Sequence, residues 1–184
     1  MQLPPKTPVL FVHENSNYKK LPAFFDCYDA ERNALTYLGT SPVICHPPCR
    51  LFSRLRKFST AEQDEKKLAY WAVDLVRANG GVLEHPVGST LWKEKDLPPP
   101  GYYDEYGGFT LCISQKWFGY YTDKKTLLYI VGIKHKDLPG YPLTLDAPVR
   151  KFENLSPKQR SETTLDLALY LGMIANQIKN NYKS

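Results

Sequence analysis

At 184 residues the chain is long enough for one domain, 1–184, with its own core, and its formal charge of +5 favours an anionic partner. Hydrophobic residues at 42% and charged residues at 23% are those of a globular protein, and no apolar run approaches a membrane span. A nucleotide, DNA or RNA suits the charge, and with no spanning run no membrane partner is expected.

Met1 to Lys6 carries no apolar segment of a signal peptide, which places the chain in the cytoplasm. Its four cysteines, Cys27, Cys45, Cys49 and Cys112, are then expected as free thiols. Cys45 and Cys49 flank His46, but no second ligand pair has zinc-site spacing, so no metal is expected.

Pro8 to His13 is a continuous apolar run, the pattern of a central strand covered on both faces. Phe24 to Asp29 is a second short strand, and the segment between is marginal for the helix of a parallel crossover. Ala30 to Leu38 holds one or two helical turns. Pro42 to Cys45 is a third, buried strand, stopped by Pro47 and Pro48, which cannot continue a ladder. Ser59 to Glu62 reads as a helix start, with Leu68, Trp71, Ala72, Leu75 and Val76 at helical spacing before Asn79-Gly80-Gly81. Gly81 to Pro86 is the next strand, completing a right-handed strand–helix–strand unit. A loop rich in Pro, Gly and Tyr follows, then a hairpin of Thr110 to Gly119 and Lys125 to Gly132. His135 to Lys151 is irregular. Ser156-Pro157 opens a last helix with Leu165, Leu169, Met173 and Ile174 as its apolar stripe. The class is an α/β fold with an open, mostly parallel, Rossmann-like sheet, reduced at its N-terminal half.

Such a sheet binds ligands at the carboxyl ends of its strands, which is where Pro47-Pro48-Cys49-Arg50 lies. Cys49 is the candidate nucleophile, its thiolate favoured by nearby guanidinium groups. Glu84 ends the adjacent strand, where a partly desolvated carboxylate can hold a raised pKa and shuttle a proton. Arg50, Ser53, Arg54 and Arg56 form a phosphate clamp beside the thiol. His13, His46 and His135 read as packing or surface residues.

These motifs resemble the second half of the DNA cytosine-5 methyltransferase family, most closely short phage and prophage relatives. The likeness rests on Pro47-Pro48-Cys49 with Phe52-Ser53, on Glu84-His85-Pro86, and on Gln115-Lys116-Trp117-Phe118-Gly119 with Lys125-Thr126. Lys158-Gln159-Arg160-Ser161-Glu162-Thr163 completes it. The resemblance implies that Cys49 adds to C6 of a pyrimidine while Glu84 protonates or bonds its N3 edge. It also implies that His85, Gln115, Lys125, Thr126, Arg160, Ser161 and Thr163 contact the nucleotide. The family's cofactor is S-adenosylmethionine, yet no glycine-rich turn follows the first strand here, so the cofactor stays open. Asn15, Ser16, Tyr18 and Asp29 are where a ribose or cofactor would sit. Two functions follow: base-modifying chemistry on a nucleotide or DNA, or a phage counter-defence protein that sequesters a nucleotide immune signal in the host cytoplasm. A homo-oligomer is left open.

Overall fold

The computed structural model describes residues 6–52, 63–144 and 150–182. Among them, six strands form one open sheet in the order β2-β1-β3-β4-β6-β5: β1 Thr7–Leu10, β2 Phe25–Tyr28, β3 Val43–Cys45, β4 Gly81–Pro86, β5 Phe109–Ser114 and β6 Lys125–Val131. β1 to β4 pair in parallel, and β6 runs against both β4 and β5. The fold is therefore a mostly parallel, Rossmann-like α/β sheet. Its strands are the apolar runs of the sequence, trimmed where Phe11 turns to a positive φ of 62° and ends β1.

Two helices cover the two faces. Along each central strand successive side chains point to opposite sides. Val9, Ile44 and Val82 pack with Leu167, Leu171, Ile174 and Ile178 of α4 (Leu165–Asn181). Leu10, Val43, Cys45 and Leu83 pack with Ala69, Ala72, Val73 and Val76 of α1 (Glu65–Asn79). A short α2 (Leu91–Glu94) follows β4. No helix among the described residues is long and apolar enough to cross a membrane.

The helix start expected at Ser59 to Glu62 lies outside the described residues, among which the regular helix begins at Glu65. Two expectations change. The last helix is two: α3 (Pro157–Ser161), capped by Ser156, ends as Glu162 turns extended, and Thr164 caps α4 anew by accepting from the Leu167 amide. Leu165, Leu169 and Met173 are 42%, 42% and 53% exposed, so they form an outer stripe and only Ile174 of the four faces the core.

The crossover from β1 to β2 uses a 3₁₀ turn, Asn17–Lys20, in place of a helix. From β1 the chain steps to β2 on one side and then to β3 on the other. The connections that leave β1 and β3 therefore run to opposite sides of the sheet, opening the crevice in which such sheets hold ligands. Gly80 and Gly81, at φ +75° and +127°, close α1 and bring β4 against β3. A Cβ at Gly81 would be driven into the Val43 backbone.

Leu171→Ala should cost about 2–5 kcal/mol in chemical denaturation, as for a buried leucine, and Leu169→Ala about 0.5 kcal/mol. Equal losses at the two positions would reverse the assignment of the α4 faces. Gly81→Ala should cost about 2 kcal/mol or more, since both its φ and its space exclude a side chain.

Candidate functional site

A cleft of about 690 Å³ opens at the switch point between β1 and β3. Its walls come from Phe11 to Tyr18 after β1, from His46 to Arg50 after β3, and from Glu84 to Pro86 at the end of β4. Lys124 and the segment Lys158 to Thr163 close the fourth side. That segment is anchored from three directions. Asn17 Nδ2 donates to the Thr163 carbonyl (2.8 Å), Tyr120 Oη to the Gln159 carbonyl (2.9 Å) and Lys124 Nζ to the Arg160 carbonyl (3.0 Å).

A line of hydrogen bonds runs beneath the cleft. Tyr18 Oη lies 3.0 Å from His46 Nε2, and His46 Nδ1 lies 3.2 Å from Glu84 Oε2. Gln115 Nε2 donates to Glu84 Oε1 (3.2 Å) and to Thr126 Oγ1 (2.9 Å). An ionised carboxylate only accepts, so His46 Nδ1 carries the shared proton, and a neutral His46 then accepts from Tyr18 through Nε2. Burial, then the nearby Glu84 charge, raise the Tyr18 hydroxyl well above its ordinary value and keep it a donor. Sequence reasoning missed His46. The signal was the strand register: Cys45 pairs with Leu83, so the next residues on the two strands are His46 and Glu84.

The ionisation of the two central candidates is the reverse of expectation. Burial opposes charge on Glu84, but the hydrogen bond from His46 and the nearby positive charge of Lys124 outweigh it, holding the carboxyl at about 2. Cys49, half-buried in the same cleft, has its thiol pushed up by burial and then by Glu84, with Lys124 pulling the other way. Of the guanidinium groups expected to favour its thiolate, Arg50 forms an ion pair with Glu65 of α1, and Arg54 and Arg56 lie outside the described residues.

The remaining candidates divide. Asn15, Ser16, Tyr18, Arg160, Ser161 and Thr163 line the cleft with Cys49, Arg50 and Glu84. Gln115 and Thr126 are buried and reach the cleft only through Glu84. His85 lines the cleft but is only 1% exposed: Nδ1 meets Ser89 Oγ at 2.7 Å and the ring lies against the Pro48 and Pro47 carbonyls. Lys125 lines a separate groove with Cys112 and Trp117. Asp29 is held by Lys19 and the Arg32 amide, away from the cleft wall. Ser53, Arg54 and Arg56 lie outside the described residues. Lys124 and Lys158 are cations at the cleft that sequence reasoning did not single out.

No protein-family model, curated protein or solved structure matches the chain. Fold and site together define a class: an open Rossmann-like α/β protein with a thiol, a pinned carboxylate and a cationic rim at its switch point. No group of three or more His, Cys, Asp or Glu able to hold a metal ion occurs among the described residues.

Glu84 is depressed below its ordinary 4.5, so its ionised form favours the fold above about pH 4.5, and that contribution is lost as pH falls toward 2. His85 is lowered chiefly by burial, so the fold also weakens as pH drops below the ordinary 6.5. Stability measured from pH 7 to pH 3 should fall, and Glu84→Gln should flatten the segment below about pH 4.5; an unchanged slope there would refute the carboxylate assignment. Iodoacetamide labelling of Cys49 should be slow at pH 7 and accelerate only above the thiol's ordinary 9.0. An inflection below pH 8 would show an activated thiol.

Proposed function

We propose that the protein binds a nucleotide or nucleobase in the switch-point cleft, its phosphates toward Lys124, Lys158 and Arg160 and its base toward Glu84. The observation that carries this reading is the position of Glu84 and several cations around a single crevice at the carboxyl ends of β1, β3 and β4, where the second carboxylate, Glu162, accepts from Asn17. A ligand with a polar base at one end and an anion at the other matches that polarity. The volume also falls within the range of small-molecule sites.

The protonated resting state of Cys49 favours holding a ligand over transforming it. Within that reading the protein sequesters a nucleotide, and a phage counter-defence protein that removes a nucleotide immune signal is one such role. The second reading is the chemistry the methyltransferase likeness implies, attack of Cys49 on C6 of a pyrimidine. Its specific support is that Cys49 and Glu84 share the cleft. That chemistry needs the thiol proton removed after the ligand binds, and a methyl donor such as S-adenosylmethionine. Asn15 and Ser16 line the wall where its ribose would lie, but the chain offers no glycine-rich turn there.

Calorimetric titration with nucleoside monophosphates should detect binding in the wild-type chain, and Lys158→Ala or Arg160→Ala should weaken it about tenfold through loss of a charge-assisted phosphate contact. Cys49→Ala should leave binding within about threefold. Loss of binding in Cys49→Ala, or turnover that depends on Cys49, would favour the chemical reading. Absence of binding at millimolar concentration would refute the nucleotide cleft.

A further inference from the structure

The carboxylate of Glu84 has a defined recognition capacity. Each oxygen already receives one donor, Oε2 from His46 Nδ1 and Oε1 from Gln115 Nε2. A carboxylate has about four lone-pair positions, so each oxygen keeps one more. The N–H of a neutral imidazole is a far weaker acid than a carboxylic acid, so the proton between His46 and Glu84 stays on the ring. Lys124 adds positive charge at the same point and further favours the anion. The side chain is 15% exposed and lines the cleft, so ligand groups can reach it. Glu84 therefore offers two acceptors and no donor.

Base edges differ in how they meet such a group. Cytosine presents an amine beside an unprotonated ring nitrogen, which would face a carboxylate oxygen lone pair to lone pair. Adenine has the same donor–acceptor arrangement. Uracil flanks its single N–H with two carbonyl oxygens. Guanine alone presents adjacent donors, N1–H and the N2 amine, matching two acceptor oxygens side by side. The bases' edges carry distinct patterns of this kind, and a good bidentate pair discriminates by about 1–3 kcal/mol, roughly tenfold or more.

We propose that Glu84, pinned by His46 and Gln115, reads the donor–donor edge of guanine, and that the cleft takes guanine nucleotides in preference to pyrimidine ones. This rests on the nucleotide reading above but departs from the family likeness, in which the corresponding carboxyl serves a cytosine. His46 and Gln115 act here as positioning residues, because they touch Glu84 and hold its two oxygens in place.

The test is calorimetric titration of the full chain with GMP, IMP, CMP, UMP and AMP at one pH and one salt concentration. GMP should bind about tenfold or more tightly than CMP, UMP and AMP. IMP keeps N1–H and lacks the N2 amine, so it should bind about tenfold more weakly than GMP. Glu84→Gln, nearly the same shape, should bring GMP and CMP to within about threefold of each other. The comparison of GMP with IMP uses only wild-type protein and stands even where the variant does not fold. If CMP leads, if IMP equals GMP, or if the GMP preference survives Glu84→Gln, the guanine assignment is overturned while the nucleotide cleft stands. If none of the five binds at millimolar concentration, both fall together.

Discussion

A partly buried anion organises this cleft. An unpaired carboxylate taken out of water costs several kcal/mol, so it persists only where donors converge on it. Glu84 meets that condition by drawing on both sides of β4: His46 comes from the end of β3, and Gln115 from the end of β5. The same demand fixes Gln115. Its Oε1 is buried without a partner, yet turning the amide over would set that oxygen against the Glu84 carboxylate. The orphaned acceptor is the lesser penalty, and Thr126 takes the other hydrogen of the amide. Tyr18 completes the line through His46, so one charge orders residues from the ends of β3, β5 and β6 and from the turn after β1.

The parts of the fold that were legible in the sequence are those with a physical stop sign. Gly81 to Pro86 emerges as a strand with those limits because a glycine pair ends the preceding helix and a proline ends the strand. The hairpin strands were also legible, with a 3₁₀ turn at Gln115–Phe118 where continuous strand was expected. Helix α4 was misread for an equally physical reason. Leu165, Leu169 and Met173 recur at helical spacing, but so do Leu167, Leu171, Ile174 and Ile178. A helix with two apolar stripes leaves periodicity unable to choose, and contact with Val9, Ile44 and Val82 decides which stripe is buried.

The site was half legible. Cys49 and Glu84 follow from strands that end at the same rim, and Arg160 to Thr163 from their motif. Proximity in sequence misled for charge: Arg50 adjoins Cys49 along the chain but turns to Glu65 on α1. Two further cations at the cleft come from distant segments, Lys124 before β6 and Lys158 on α3. His46 was passed over because a lone histidine beside prolines has no sequence signature. Only the pairing of β3 with β4 shows that its neighbour is Glu84.

The electrostatics of the cleft set its two candidate groups against each other. Glu84 is ionised, and its charge is one of the causes that raise the Cys49 thiol. A bound phosphate would bring a second negative charge to the same rim and further disfavour a thiolate, unless Lys124, Lys158 and Arg160 absorb it. Lys124 already serves Glu84 and anchors the Arg160 carbonyl. The positive charge that stabilises the carboxylate and the ligand is therefore the same charge that nucleophilic attack would require. Recognition by a fixed anion and catalysis by a thiolate would draw on one set of cations, of which Lys124 already acts on the anion.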